Sequence, residues 1–425
     1  MVGRDSGVTW VYGLVDMQSF YASVEAASRP EFAGHRREDD DKTDPLLIVA
    51  GDPERRSGIV LAATPPAKAA GLSTAMNLGE ALRMCPKAVV VKPRMRLYLE
   101  TSVRIHYTIR QMFPLHEPFS VDEAFFALPY PSALFPDPIA ASRRLKETIW
   151  DLFRIRCRVG LAPNKWMAKM ANRAAKKEPS GVVWWTEKDV SSRLHSLSVY
   201  EMWGLKRRAE ILDREFGATT IGDVAAIPEW RLRRRFGVWG TIIHRWSHGL
   251  DDSPIDPNAF AAPNKGFSHR ITLPRDFSER EDIAVVILEL LDEVCARLRS
   301  VRQKGRRVGL SLTYARFEGG FSRTKTLGRA FNAAEDFYPH VIQLLDRWWD
   351  GSGVRAVSVG VDLLEPESDT MQLSLFKDVA KRRRLSEVYD QVRARFGETS
   401  IMRAASLLPA GQLRDRSQKI GGHFM

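Results

Sequence analysis

The sequence predicts a multidomain α+β protein, and three observations carry that expectation. The chain has 425 residues, more than a single hydrophobic core usually serves, so two to four domains are expected. Hydrophobic residues make up 44% and charged residues 27% of it, the composition of an ordinary globular protein. The periodicity also changes along the chain. Strand and helix signals alternate to about Trp185, a helical stretch follows to about Gly249, and a mixed unit lies beyond.

In order, "VTWVYGLVDMQSFYASVEAA" runs as an apolar strand to Val15 and turns helical at about Phe20, so Asp16 ends a strand. "GHRREDDDKTDP" reads as a charged surface loop. "LLIVAG" and "GIVLAATPPAKAAGL" read as two strands and a short helix, and Met95 to Gln111 as a longer helix. "FSVDEAFFAL" is the next strand, then come a helix from Pro138 to Phe153, the strand "CRVGLAP", a helix from Lys165 to Lys177 and the strand in "PSGVVWW". The helical stretch carries two Gly-containing turns, "WGLKRRAEIL" and "FGVWGTIIHRW". After a Pro/Asn/Asp-rich connector the mixed unit predicts strand, helix, two strands, helix, strand, which suits a compact α+β domain. A basic helix around "AKRRRLSEVYDQVRARF" and a Gly-rich tail end the chain.

Lys and Arg number 64 against 52 Asp and Glu, a formal charge of +12, which favours a polyanionic partner, nucleic acid first. No apolar run approaches the roughly 20 residues of a membrane span, so a cytoplasmic protein is expected. The three cysteines, Cys85, Cys157 and Cys295, have neither disulfide-framework nor zinc spacing.

The chemistry concentrates at the pair Asp122 and Glu123, set in the apolar run "FSVDEAFF". Burying unpaired charge is costly and demands a cation. With Asp16 at the end of another strand, three carboxylates suit Mg²⁺, which takes oxygen ligands together with substrate phosphates. Strand residues alternate faces, so joint use of Asp122 and Glu123 requires a tight turn or twist at Ser120 and Val121. Lys165, Lys169, Arg173, Lys176 and Lys177 supply cations along one helix, enough to hold a triphosphate.

Taken together, "VDMQSFYASVE", "FSVDEAFF" and "VGLAPNKWMAKMANRAAKK" resemble, in that order, the motifs of the Y-family (UmuC/DinB-like) translesion DNA polymerases. The pattern is most similar to a Gram-positive-type UmuC/UvrX-like subgroup. The resemblance implies a right-hand polymerase with a ferredoxin-like palm (1–19 and 95–185), small fingers (20–94), a helix-hairpin-helix thumb (186–250), an α+β little finger (264–363) and a C-terminal tail (364–425). It implies error-prone, template-directed addition of dNTPs to a primer 3′-hydroxyl across damaged DNA, in a damage (SOS) response, by a monomer.

It further implies two Mg²⁺ ions, with Mn²⁺ able to substitute, held by Asp16, Asp122, Glu123 and the carbonyl of Met17. Tyr21 falls where the family keeps an aromatic residue that excludes the ribose 2′-hydroxyl, and Phe20 would contact the incoming nucleotide. Thr64, Lys68, Lys169 and either Lys176 or Lys177 would serve the nucleotide. Relatives place a tyrosine and an arginine where this chain has Pro65 and Lys68, a point charge without the bidentate fork of Arg. Gln18 departs from an acidic position of some relatives. The two Gly turns resemble helix-hairpin-helix elements that bind DNA backbone through Gly204, Lys206, Gly237 and Gly240, with Lys206 where a second glycine is usual. Lys265, His269, Arg270, Arg323 and Lys325 fall on little-finger strands as candidate DNA contacts. Gln372, Leu373, Ser374, Leu375 and Phe376 resemble the motif that docks bacterial polymerases on the sliding clamp.

Overall fold

Strand β1 (Thr9–Met17) has Leu14 and Val15 wholly buried, and the chain then turns at Ser19, φ 52°, into α1 (Phe20–Ser28) and α2 (Pro30–Ala33). The computed structural model describes residues 9–52, 57–113, 115–259, 263–367, 379–420 and 423–424. They fall into two compact units that divide between residues 261 and 262.

In the first unit β2 (Leu47–Asp52) pairs with β3 (Ser57–Ala63), and α3 (Pro65–Ala69) and α4 (Leu78–Met84) follow. Pro65 and Pro66 open α3, where backbone N–H groups have no intrahelical acceptor. With β4 (Val89–Val91) these strands make a small sheet in the order β3-β2-β4. Helix α5 (Met95–Met112) buries Met95, Tyr98, Ser102, Ile105 and Ile109, one stripe at three- and four-residue spacing.

The main sheet is completed by β5 (Leu115–Pro118), β6 (Glu123–Tyr130), α6 (Pro138–Phe153), β7 (Cys157–Ala162), α7 (Lys165–Ala175) and β8 (Val182–Trp184). Its order is β5-β6-β1-β7-β8, so β1 lies at the centre, antiparallel to both β6 and β7. Two expectations are corrected here. "FSVDEAFF" is not one strand: Phe119 and Ser120 donate their N–H groups to the Glu123 carbonyl at 3.0 and 3.1 Å, forming a turn, and the strand starts at Glu123. "GHRREDDDKTDP" is not a surface loop throughout. Arg36 and Asp44 are buried and paired at 2.6 Å, Arg156 joins Asp44 at 2.8 Å, and both guanidinium groups lie over the Trp150 ring.

Helices α8 (Arg207–Phe216), α9 (Ile221–Ala226), α10 (Glu229–Phe236) and α11 (Val238–Ser247) follow and share a hydrophobic core with α7. In the second unit, β9 (Gly266–Phe277), α12 (Arg280–Ser300), β10 (Gln303–Tyr314), β11 (Gly320–Phe331), α13 (Ala334–Trp348) and β12 (Val354–Pro366) form an antiparallel sheet, β11-β10-β12-β9, with both helices packed into its core. The C-terminal part belongs to this unit. Helix α14 (Val379–Phe396) offers Asp390 to Arg299 at 2.6 and 2.8 Å, Arg403 forks onto Asp292 at 2.6 and 2.7 Å, and the Gln412 N–H donates to buried Glu289 at 2.9 Å. Among the described residues no helix is long and apolar enough to cross a membrane.

Candidate active site

Asp16 and Glu123 are direct partners across the β1–β6 ladder, and Asp122 precedes Glu123 at the turn. The turn that joint use of this pair requires is therefore present. It is held from three sides. The Met17 N–H donates to the Asp122 carbonyl at 2.9 Å, the Ser120 hydroxyl donates to Asp122 Oδ1 at 2.6 Å, and His106 Nε2 on α5 lies 2.9 Å from the Ser120 carbonyl. A carbonyl only accepts, so His106 carries its proton on Nε2, and His116, 3.2 Å from His106 Nδ1, donates in turn. Burial, then the neighbouring His106, pushes the His116 imidazole down to about 4, so the pair stays neutral at pH 7.

Cations face the carboxylates from α7 and the loops. Lys169 Nζ stands 2.5 Å from Glu123 Oε1, and Lys176 Nζ 3.2 Å from Asp16 Oδ2. Between the two candidates near "KKEPSG", the structure thus brings Lys176 to the carboxylates. Lys68 donates to the Ser19 hydroxyl at 2.8 Å. Arg158, on β7, is the partner of Asp16 in the ladder. Sequence reading missed it, although the strand "CRVGLAP" places a charge where a buried central sheet would otherwise be apolar. Burial pushes the Lys68 ammonium below its ordinary value, and nearby Lys176 and Arg158 push the same way.

Helix α7 can come this close because Gly160 has no side chain. A Cβ there would stand 2.1 Å from the Asn172 nitrogen and 2.5 Å from the Ala168 oxygen. The Asn172 amide crosses the same contact to the Leu14 and Arg158 carbonyls at 3.1 and 3.0 Å.

The lysines do not fully compensate the acids. Burial raises the Asp16 carboxyl above its ordinary value, with Asp122 adding to the rise against the pull of Lys176. Burial likewise raises Glu123 against the pull of Lys169. Among the described residues no group of three or more His, Cys, Asp or Glu side chains, these carboxylates included, is gathered closely enough to hold a metal ion. The donor chemistry nonetheless fits a hard divalent cation, with carboxylate oxygens at neighbouring strand ends and at the adjoining turn.

Other expected nucleotide contacts are placed differently. Thr64 is wholly buried, its hydroxyl donating to the Pro45 carbonyl at 2.7 Å and accepting from the Leu47 N–H at 3.2 Å. Nothing of it is left for a phosphate. Phe20 is 4% exposed and packs inward, whereas Tyr21 is only partly buried. Gln18 donates to Asp41 at 3.0 Å.

The impB/mucB/samB family model matches residues 15–173, and the model of that family's C-terminal domain matches 264–375. The chain is 38% identical over 414 residues to "DNA polymerase IV 2" of Halalkalibacterium halodurans, covering 97% of this chain and 98% of that one. The chain belongs to this family, the Y-family DNA polymerases. It is also 32% identical over 421 residues to the "Putative UV-damage repair protein UvrX" of Bacillus subtilis, covering 96% of each. The solved "Y-family DNA polymerase chimera Dbh-Dpo4(243-245)-Dbh" shares the fold at TM-score 0.67 and 22% identity, over 84% of this chain and all of that one. Enzymes of this family use divalent metal ions.

Elsewhere in this Y-family polymerase, the two Gly turns have one geometry. Lys206 precedes α8 at φ 45°, ψ −121°, and Gly237 precedes α11 at φ 61°, ψ −135°. Lys206 adopts the backbone of a glycine, at a cost of about 1–3 kcal/mol. Gly204 has φ 93°, and a Cβ on Gly240 would stand 2.3 Å from the Leu232 carbonyl, so α10 and α11 touch backbone to backbone.

The five strand candidates divide between the faces of the second sheet. Arg270 lies on the open face, donating to Thr313 at 3.0 Å, and Lys265 borders a groove of about 400 Å³ lined by Ser268, Gly309, Ser311, Ser322, Thr324 and Ser358. His269, Arg323 and Lys325 turn to the helices instead. His269 lies 2.8 Å from Glu293, the Arg323 guanidinium lies 4.3 Å over the Trp348 ring, and Lys325 donates to Gln343 at 2.7 Å. Period-two reading anchored on core Leu273 would have placed His269 inward. Gln372 to Phe376 lie outside the described residues.

Proposed function

We propose that this polymerase extends a primer 3′-hydroxyl with dNTPs on damaged template DNA. The 3′-hydroxyl gives up its proton to solvent, its oxygen bonds to the α-phosphorus, and the bond from that phosphorus to the bridging oxygen breaks so that pyrophosphate leaves. Asp16, Asp122, Glu123 and the Met17 carbonyl would hold two Mg²⁺ ions, with Mn²⁺ able to replace them. When bound, such ions supply Lewis-acid polarisation and neutralise phosphate charge. The chain's own residues do the rest. Lys68, Lys176 and Arg158 form the cationic wall for the triphosphate, Lys169 offsets the Glu123 charge, and Tyr21 excludes the 2′-hydroxyl. Partial burial of Asp16 and Glu123 limits how far water screens their attraction to these cations.

In this reading residues 1–19 and 95–185 are the palm, 20–94 the fingers, 186–250 the thumb and 264–363 the little finger. The turns at Lys206 and Gly237, with Lys265 and Arg270 on the open sheet face, track the DNA backbone without reading sequence. The enzyme acts as a monomer and docks on a sliding clamp through Gln372 to Phe376.

The observation that carries the proposal is the ladder pairing of Asp16 with Glu123, with Asp122 at the adjoining turn and four cations opposite. Primer extension with Asp122→Ala tests it. Extension should fall by at least about 10³-fold while duplex DNA binding persists. Wild-type extension by the variant would refute the assignment. Added clamp should stimulate the wild type but not a Leu375→Ala/Phe376→Ala double variant; equal stimulation of both would remove the docking role.

A further inference from the structure

The reading of Tyr21 as the sugar gate leaves a question that the fold answers: what keeps its ring from yielding to a ribose. Tyr21 and Glu25 lie on α1 one turn apart, and Arg94 and Tyr98 are spaced alike at the start of α5. These two pairs meet side to side. The Tyr21 ring stacks on Tyr98, centroids 4.6 Å apart and planes at 17°. The Tyr98 hydroxyl donates to Glu25 Oε1 at 2.6 Å. Arg94 closes the arrangement, Nε to Oε1 at 3.0 Å and Nη2 to Oε2 at 2.6 Å, while reaching Ser28 Oγ at 2.5 Å. Arg29 adds a longer contact to Glu25 Oε2 at 3.3 Å.

Tyr98 is 1% exposed and Glu25 0%. Neither can touch a nucleotide. Their chemistry is directed wholly at one another and at the back of Tyr21. A buried carboxylate with two arginines and a phenol is more polar machinery than packing a helix pair requires, since apolar residues of the same volume would do that at less desolvation cost. What the network supplies is a fixed ring plane. Tyr98 cannot rotate without breaking its bond to Glu25, and Tyr21 cannot tilt toward α5 without displacing Tyr98.

The geometry points to Tyr98, oriented by Glu25 and Arg94, as the positioning residue that sets sugar selectivity through Tyr21. This inference rests on Tyr21 being the gate. Selectivity by steric exclusion depends on a wall that holds its place, because a wall that yields admits the extra oxygen. Taking the Tyr98 ring away opens space behind Tyr21. Taking only its hydroxyl keeps the stack and frees the ring plane.

The test measures kcat/KM for a dNTP and for the matching rNTP, reporting their ratio for wild type, Tyr21→Ala, Tyr98→Leu, Tyr98→Phe and Tyr21→Ala/Tyr98→Leu. Tyr98→Leu should lower the preference for dNTP by about tenfold and Tyr98→Phe by about threefold, within what a stacked aromatic pair can contribute. The double variant should discriminate no worse than Tyr21→Ala, since both act through one ring. A purely structural Tyr98 would lower both rates together and leave the ratio alone. Tyr98→Phe preserves volume, so it remains informative should Tyr98→Leu fold poorly. If Tyr21→Ala relaxes selectivity while both Tyr98 variants keep the wild-type ratio, the inference fails and the gate stands. If Tyr21→Ala leaves the ratio unchanged, gate and inference fail together.

Discussion

Glu25, wholly buried, and Asp16, partly buried, are carboxylates of the N-terminal unit that the fold treats in opposite ways. Around Glu25 the protein supplies a phenol and a bidentate arginine, with a second arginine behind, so its acceptor sites are taken. Around Asp16 it supplies one half-exposed lysine at 3.2 Å, with Arg158 across the ladder, and places a second carboxylate, Asp122, close enough to raise its pKa. The first arrangement is closed, whereas burial and Asp122 together still hold the second carboxylate above its ordinary pKa against the pull of Lys176. A saturated carboxylate organises structure, whereas an unsaturated one keeps coordination capacity for a ligand, at some cost to the fold.

The largest effect that would break this contrast is at Asp16. Asp16→Asn should reduce primer extension by about 10³-fold or more, yet leave the metal-free protein at least as stable as wild type at pH 7. The sign follows from the raised pKa. The folded state binds the Asp16 proton more tightly than the unfolded chain does, so ionisation penalises folding above the folded pKa. As pH falls through that value the penalty disappears, and the melting temperatures of variant and wild type should converge. A variant that melts well below wild type at pH 7 would mean that Asp16 is structural after all.

Next in size is Glu25→Gln, which leaves Arg94 and Arg29 facing a neutral amide. A loss of about 2 kcal/mol is expected, read from chemical unfolding, because the charge-assisted hydrogen bonds to Arg94 and Arg29 are lost while both guanidinium groups can turn to solvent. Unchanged stability would show that the closed network does not hold the fold. The smallest effect separates two neighbours. Lys176→Ala should raise the KM for dNTP by about tenfold, one charge-assisted contact, and Lys177→Ala by less than about twofold. The reverse order would place the triphosphate on the other side of the loop.

How far the site could be read from sequence follows from which interactions are local. Asp16, Asp122 and Glu123 were visible because charge inside an apolar strand is locally anomalous, and the helix from Pro138 to Phe153 was bounded by its own Pro and capping Asp137. The apolar residues around Asp122 look like strand, and a turn at Ser120 and Val121 followed only from requiring both carboxylates at one site; the chain does bend there, accepting hydrogen bonds from Met17 and His106. Arg36 and Asp44 were read as solvated because their partner, Arg156, and the covering ring of Trp150 come from far along the chain. Thr64 could not be told from a phosphate ligand until its hydroxyl was seen bonded to Pro45 and Leu47. Cross-strand register, which sets Arg158 opposite Asp16, is likewise a property of pairing and not of either strand.

The missing side chain at Gly160 has a mechanical consequence for the charges around it. Helix α7 rests on β7 with nothing between the two backbones, so its lysines are indexed to the carboxylates as a scale is indexed to its zero mark. Any methyl group at that zero would lift Lys169 and Lys176 together. The calibration of the whole charge pattern therefore resides in an uncharged atom that the chain leaves out.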